Sequence, residues 1–196
     1  MAARVELKSF SVGSFDNNVY ILVDPAVGTS VLFDAPTDAE RILRELDGTR
    51  LAAILMTHTD PDHVQALDEV RRTTGAPVGV HADDADRLPV KPDFFISDGE
   101  SLEYGGIHLR ALHTPGHTPG SLCFVTDGIL IAGDTLFPGG PGNTRGDPAR
   151  FKQIIAGIRE KLFTLPDETT VYPGHGNSTT IGAERPHLQE WIDRGW

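Results

Sequence analysis

The chain has 196 residues, of which 39% are apolar, enough for the core of one compact domain but leaving little room for a second. Its 28 acidic residues outnumber 17 basic ones, and the net charge of -11 would repel a phosphate backbone on average. Cys123 is the only cysteine, so no internal disulfide forms, and no apolar run approaches the roughly 20 residues of a membrane helix. Met1 to Val5 lack the apolar core of a secretory signal. We expect one cytoplasmic domain, residues 1–196, without a nucleic-acid or membrane partner.

The first half of the chain alternates strand and helix patterns. Runs rich in β-branched residues, separated by Gly and Pro turns, predict an opening antiparallel meander. Thr37 and Glu40 form a capping box, which predicts a helix that stops at Gly48. The predicted elements are strands at 5–12, 18–24 and 30–34, a helix at 37–47, a strand at 51–56, helical spacing from 64 to 75, and a strand at 77–80.

The second half predicts another meander. Gly105-Gly106 and Asp127-Gly128 are turn signals between strands at 101–104, 107–112, 121–126 and 129–131. Asp147-Pro148 opens an amphipathic helix, a short final strand is expected at 169–172, and a C-terminal helix at 183–192. Two halves of strands plus helices predict an α/β fold, with two sheets packed face to face and helices outside.

Four metal-ligand candidates are concentrated between Thr57 and His63, directly after the buried strand at 51–56. Imidazole and carboxylate suit zinc, iron and manganese, so this density of ligands at the end of a buried strand predicts a catalytic metal site. The candidates are His58, Asp60, Asp62 and His63.

Three later segments each end a predicted strand with one strong ligand candidate, His117, Asp134 or His175. Gly and Pro around each candidate favour tight turns that let the backbone approach the site closely. A hydrogen-bonded core histidine is a plausible alternative for any one of the four histidines, but not for all four in these contexts. Asp62 and Asp134 could each be turn or cap residues.

In motif order and spacing, the chain resembles the metallo-beta-lactamase superfamily, and within it the short, glyoxalase II-like metallohydrolases, over essentially its whole length. The resemblance implies an αββα four-layer sandwich of two mixed sheets with a binuclear site. It implies a hydroxide between two divalent metals as the nucleophile, so that no side-chain nucleophile is required and Cys123 belongs to the core. The implied ligands are His58, Asp60 and His117 for the first metal, Asp62, His63 and His175 for the second, and Asp134 as the bridge.

Asp60 departs from the family pattern His-x-His-x-Asp-His, which has a second His at this position. As a metal ligand, the Asp60 carboxylate would be a harder Lewis base than an imidazole. It would move the metal preference of the first site from zinc toward iron or manganese. Alternatively, Asp60 only caps the helix that Pro61 begins. The Asp at position 60 does not affect a second possible ligand set of two histidines and one carboxylate, His58, His117 and Asp134. This set resembles the mononuclear iron site of persulfide dioxygenases. Diiron oxygen-handling proteins of the superfamily also have a carboxylate at the position of Asp60.

The Gly-rich loop at 138–147 directly follows Asp134, and loops so placed bind substrate. Asn143 and Arg145 are its substrate-binding candidates, with Arg145 suited to an anionic group. The alternative for Arg145 is a surface pair with Asp147. Persulfide dioxygenases and many short glyoxalase II-like proteins have Arg-Thr-Asp in this loop, where this chain has Asn143-Thr144-Arg145. This departure weakens the resemblance to a dioxygenase.

These observations favour a metal-dependent hydrolase that cleaves a thioester or ester of a small acid, with Asp62 and Asp134 as catalytic residues. Two divalent metals are expected, zinc first, with iron or manganese as alternatives. The alternative function is an iron-dependent oxidoreductase of the same fold, and a third is a metal-stabilised binding or sensor domain. The sequence leaves open the oligomeric state and whether Trp191 and Trp196 pack on the domain or on a partner.

Overall fold

Two six-stranded sheets form the centre of the computed structural model, which describes residues 5–195. The strands are β1 (Glu6–Val12), β2 (Asn17–Asp24), β3 (Thr29–Phe33), β4 (Arg50–Leu55), β5 (Val78–Val80), β6 (Phe94–Phe95), β7 (Ser101–Tyr104), β8 (Ile107–His113), β9 (Leu122–Thr126), β10 (Ile129–Gly133), β11 (Leu136–Phe137), β12 (Gly140–Pro141), β13 (Thr170–Pro173) and β14 (Thr179–Thr180). The α-helices are α1 (Ala39–Leu46), α2 (Pro61–Val64), α3 (Leu67–Thr74), α4 (Pro148–Glu160), α5 (Ile181–Glu184) and α6 (Leu188–Arg194). Short 3₁₀ helices cover Ala82–Arg87, Leu162–Thr164 and Arg185–His187.

Both large sheets mix parallel and antiparallel pairs. The first has the order β1-β2-β3-β4-β5-β6, antiparallel up to β3 and parallel from there on. The second has the order β14-β13-β10-β9-β8-β7, in which β10 and β13 are parallel. Strands β11 and β12 form a small separate hairpin within the loop after β10.

Alternate residues of β2 show how the sheets are layered. Val19 and Ile21 belong to the core under α1 and α3, whereas Tyr20 and Leu22 belong to the core between the two sheets. A third core lies between the second sheet and the helices α4 and α6, around Ile158. Three cores separate four layers, so the predicted αββα sandwich is confirmed. No helix among residues 5–195 is long and apolar enough to cross a membrane.

Two details of the helices differ from the sequence expectations. The N-cap of α1 is Asp38, whose side chain accepts from the Arg41 amide at 3.1 Å, so the capping box at Thr37 is wrong by one residue. The single helix expected at 183–192 is instead α5, a 3₁₀ turn and α6, because Pro186 cannot donate the helical hydrogen bond and its ring hinders a continuous α-helix.

Two expectations near the C-terminus have different outcomes. The strand at 169–172 is present as β13 but is not the last, since β14 pairs with it. Trp191 packs on the domain, buried beside Phe163. Trp196 lies outside the described residues. So do residues 1–4, the first part of the segment that we expect to lack a secretory signal.

Asp147 caps α4 as its sequence context predicts, accepting from the amides of Ala149 at 2.8 Å and Arg150 at 3.3 Å. We expect Asp147→Ala to lower the free energy of unfolding by about 1 kcal/mol, because these two amides then lose their acceptor. Urea unfolding followed by circular dichroism measures the change. A loss below about 0.3 kcal/mol would show that solvent replaces the cap.

Candidate metal centre

Four loops bring the predicted ligands together at one end of the sandwich. They follow β4, β8, β10 and β13, and carry the segment 58–63, His117, Asp134 and His175, respectively. Ligands at the carboxyl ends of neighbouring strands are the usual arrangement in α/β sites. All seven predicted ligands therefore converge, although they come from widely separated parts of the chain.

The first cluster is His58, Asp60 and His117, whose candidate ligand atoms lie within 4.8 Å of one another. His117 Nε2 is 3.1 Å from Asp60 Oδ2, and the rings of His58 and His117 meet nearly at right angles with centroids 4.9 Å apart. All three residues are buried.

The second cluster is Asp62, His63 and His175. The Nε2 atoms of the two histidines are 3.2 Å apart, and Asp62 Oδ2 lies 3.4 Å from His175 Nε2 and 3.8 Å from His63 Nε2. Asp62 and His175 are partly exposed, so this cluster opens toward solvent.

Asp134 lies between the two clusters. Its Oδ1 is 3.7 Å from His63 Nε2, and its Oδ2 is 3.5 Å from His117 Nε2 and 3.6 Å from His175 Nε2. One carboxylate thus faces imidazoles of both clusters, which is the position that a bridging ligand needs.

The spacing and the unpartnered atoms of this centre fit metal ions. In a tetrahedral zinc site neighbouring ligand atoms are about 3.4 Å apart, and the contacts above run from 3.1 to 3.8 Å. Buried polar atoms normally have partners, yet His58 Nε2, His117 Nε2 and Asp134 Oδ1 have none among the described residues. His117 Nδ1 donates to the Asn143 carbonyl at 2.8 Å, which leaves Nε2 to face the Asp60 carboxylate at 3.1 Å. Either a proton on Nε2 or a bound cation satisfies this pair of atoms.

Two opposing effects set the pKa values around the centre: burial, which disfavours the charged form of each group, and neighbouring charges. Burial raises the pKa of Asp134 and, together with the neighbouring His63 and His117, lowers that of His58. Burial lowers the pKa of His117, but Asp60 and Asp134 outweigh it and raise that pKa overall. Burying several carboxylates together is costly, which again favours bound cations.

Asp34 supports the second cluster, although no sequence pattern predicted it. Its Oδ2 is 3.1 Å from His63 Nδ1 and accepts from the Thr57 hydroxyl at 2.6 Å. Burial lowers the pKa of His63, but Asp34 outweighs that effect and raises it. In the sequence, Asp34 is only the last residue of a predicted strand. The parallel pairing of β3 with β4, which sets Asp34 beside the segment that carries the ligands, is seen only in the structure.

Asp60 does not act as the predicted helix cap, although it occupies the N-cap position of α2. Its carboxylate makes no cap hydrogen bond and instead accepts from Arg87 Nη2 at 2.5 Å and from Arg145 Nη2 at 2.9 and 3.1 Å. Burial would raise the pKa of Asp60, but the contact with His117 and the hydrogen bond from Arg87 hold it well below its usual range. The surface pair of Arg145 with Asp147 is replaced by the pair with Asp60.

A third group of histidines, His81 and His113 with Asp83, lies outside the centre. The two rings stack 3.9 Å apart with planes only 12° apart, and His113 Nε2 donates to the Pro119 carbonyl at 2.8 Å. Nearly parallel rings cannot both direct an in-plane lone pair at one ion. We assign His113 a structural role in the loop that carries His117.

Gly174 allows the backbone to approach the metal centre closely. A Cβ at this position would overlap Asp134 Oδ1 and lie 2.8 Å from His63 Cε1. We expect Gly174→Ala to displace both side chains and to lower the bound metal by about one ion per chain, measured by elemental analysis. Gly157→Ala is the matched control, since its Cβ would make ordinary 3.4 Å contacts with Thr114. Full metal content in Gly174→Ala would contradict the assigned ligands.

Comparison with known proteins identifies the family. The profile described as the metallo-beta-lactamase superfamily matches residues 12–175, and the chain belongs to this superfamily. The probable metallo-hydrolase YqgX of Bacillus subtilis is 34% identical over 89% of this chain and 92% of its own. The hydroxyacylglutathione hydrolase GloC of Haemophilus influenzae is 30% identical over 92% of this chain and 95% of its own.

Three solved structures share the fold. The BLEG-1 B3 metallo-beta-lactamase has a TM-score of 0.85 and 31% identity, covering 93% of this chain and 98% of that one. ETHE1 from Myxococcus xanthus has a TM-score of 0.84 and 27% identity, covering 97% and 89%. TTHA1623, solved in a di-iron-bound form, has a TM-score of 0.76 and 29% identity, covering 91% and 96%.

Proposed function

We propose that the protein is a metallohydrolase that cleaves a thioester or ester of a small acid, using two divalent metal ions, most readily zinc. The observation that carries this proposal is the pair of adjoining clusters joined by Asp134, whose two oxygens face histidines of both. The relatives named metallo-hydrolase and hydroxyacylglutathione hydrolase support the same reaction class.

The first metal would be held by His58, Asp60 and His117, the second by Asp62, His63 and His175, with Asp134 common to both. Two bound metals would lower the pKa of a water molecule toward neutrality and polarise the substrate carbonyl. Asp62 and Asp134 have the catalytic roles, because they are the carboxylates that can accept a proton beside the attacking water. Asn17 donates to Asp62 Oδ2 at 2.9 Å and fixes that carboxylate.

No side-chain nucleophile is assigned. Cys123 is fully buried in the core under α4, and burial raises the pKa of its thiol. A protonated thiol without solvent access does not attack a substrate. The chemistry therefore depends on the metal centre.

The loop at 138–147 provides the proposed substrate contacts. Asn143 binds His117 through its carbonyl, and with Phe151 and Ile192 it lines a cavity of about 580 Å³ beside the loop. This volume suits a small-molecule ligand. Arg145, more than half exposed, offers guanidinium donors to an anionic group of the substrate.

An iron-dependent oxidoreductase is the second candidate, either persulfide dioxygenase-like or a diiron oxygen-handling protein. Asp60 favours it, because a carboxylate ligand makes the first site harder than one with another histidine. The likeness to a structure solved with two irons adds support.

Metal content and reactivity of one preparation distinguish these candidates. Protein purified anaerobically without added metal is analysed for metals, then assayed with thioesters and esters of small acids, including a hydroxyacyl-glutathione, and for oxygen uptake with a persulfide. We expect about two zinc ions per chain and saturable hydrolysis. Iron as the main metal together with oxygen uptake would overturn the hydrolase assignment. Ligand binding without turnover would favour the sensor alternative.

Several expectations remain predictions: a cytoplasmic location, a small-molecule substrate, no nucleic-acid or membrane partner, and one domain spanning residues 1–196. The oligomeric state remains open.

A further inference from the structure

The charged side chains that contact the ligands from outside the centre are positive at the first cluster and negative at the second. Behind the first cluster, Asp60 accepts hydrogen bonds from two guanidinium groups, those of Arg87 and Arg145. Behind the second cluster, His63 contacts a carboxylate, that of Asp34, at 3.1 Å. Charges in contact with the ligands change the affinity for a divalent cation directly.

Apart from Asp60, one other carboxylate meets these guanidinium groups: Asp84 Oδ1 lies 3.8 Å from Arg87 Nη1. His58 Nδ1 lies 3.0 Å from the Thr57 hydroxyl, and His117 Nδ1 donates to the Asn143 carbonyl, so both outer partners are neutral. Asp60 thus brings one negative charge to the first cluster and two guanidinium groups to its edge, of which that of Arg87 also meets Asp84.

At the second cluster no guanidinium or ammonium group contacts the ligand carboxylate among the described residues. Asp62 accepts from the neutral amide of Asn17, and among residues 5–195 neither Asp62 nor Asp34 pairs with a lysine or arginine. A carboxylate behind a ligating histidine also makes that imidazole a stronger donor. The second cluster is therefore the more anionic of the two, and both share Asp134.

Both oxygens of Asp60 are already engaged. Oδ1 accepts from Arg87 and Arg145, and Oδ2 accepts from Arg145 while facing His117 Nε2 at 3.1 Å. An ion entering the first cluster must share this carboxylate with the guanidinium groups or displace one. Arg145 is the one that can turn toward solvent, since its side chain is 55% exposed against 37% for Arg87.

We propose that Arg87 and Arg145 compete with the metal ion for Asp60, so that the second cluster fills first and the first cluster fills only at higher metal concentration. At limiting metal the protein then carries one ion, held by Asp62, His63, His175 and Asp134. This inference rests on the proposed two-metal centre but not on which bond the enzyme cleaves.

Zinc affinities of single-cluster variants test the order of filling. Chelator-stripped full-length protein is titrated with zinc alone against a chromophoric chelator. The double variant Asp62→Ala/His175→Ala retains the first cluster, and His58→Ala/His117→Ala retains the second. We expect the retained second cluster to bind zinc at least about 100-fold more tightly. Equal affinities, or a tighter first cluster, would overturn the proposal.

The role of the guanidinium charge is tested on the same two backgrounds. Arg87→Gln is expected to tighten the first cluster by about tenfold and to leave the second unchanged, whereas Arg87→Lys, which keeps the charge, leaves both unchanged. Arg71→Gln is the matched control, because Arg71 pairs with Asp93 at 3.0 Å away from both clusters. Weaker or unchanged zinc binding to the first cluster in Arg87→Gln would contradict competition.

If a double variant fails to fold, the order of filling can still be tested by titrating cobalt into protein that retains both clusters. We expect two separate steps in the visible spectrum of the wild-type protein, and steps that lie closer together in Arg145→Gln. A single step in both proteins would overturn the proposal. If the zinc affinities behave as expected but no ester or thioester is cleaved, the reaction assignment fails while the order of filling stands.

Discussion

Asp134→Asn is expected to lower hydrolysis by at least about 100-fold and to leave no more than one metal ion per chain. Asp134 is the residue whose carboxylate faces His63, His117 and His175 at 3.5 to 3.7 Å, and it therefore contacts both clusters. The amide keeps the shape of the side chain but loses its charge and one acceptor oxygen. Steady-state kinetics and elemental analysis of the same preparation measure both effects.

Asp127→Asn is the matched control for this substitution. Asp127 occupies the exposed turn between β9 and β10 with a φ of 31°, a conformation that Asn tolerates. Its metal content and activity should equal those of the wild-type protein, and both variants should melt cooperatively. Two metal ions and full activity in Asp134→Asn would show that this carboxylate does not bridge the clusters.

Removing both metal ions is expected to lower the melting temperature by roughly 15–30 °C. An ion present at about a thousand times its dissociation constant stabilises the folded state by roughly 4 kcal/mol per site, and each kcal/mol shifts the melting temperature of a chain this size by about 2–4 °C. Among residues 5–195, the buried Nε2 atoms of His58 and His117 and Oδ1 of Asp134 have no hydrogen-bond partner, so a bound ion would satisfy them. Scanning calorimetry before and after treatment with a chelator measures the difference.

Adding the metal back separates this effect from damage by the chelator. Zinc should restore the original transition, and it should restore less in Asp134→Asn than in Asp127→Asn. A melting temperature that does not respond to chelator or zinc would mean that the folded centre forms without metal.

Local sequence patterns predicted which residues converge at the candidate centre, because each candidate ends a strand within a short motif of its own. His58, Asp62 and His63 lie within one six-residue segment after β4, and Gly and Pro mark the turns at His117 and His175. Alternating burial along β2 likewise follows from its pattern of side chains. Such signals depend only on residues near one another in the chain, so the sequence contains them in full.

The surroundings of the ligands were not predictable in the same way. Arg87 lies on a 3₁₀ helix 27 positions from Asp60, and Asp34 is 29 positions from His63. No local motif marks either residue. Their contacts arise because β3, β4 and β5 are neighbours in one sheet, which places the segments that follow them side by side.

The sequence alone determined the α/β architecture, the set of seven candidate ligands and the resemblance to a metallohydrolase family, since periodicity and motif spacing are properties of the chain itself. Only the tertiary structure decided that Asp60 caps no helix amide and is paired with two arginines, and that Asp34 lies behind His63. The physical reason is that charge balance at a buried site depends on groups brought together by sheet pairing from distant segments, and a linear pattern carries no record of those distances.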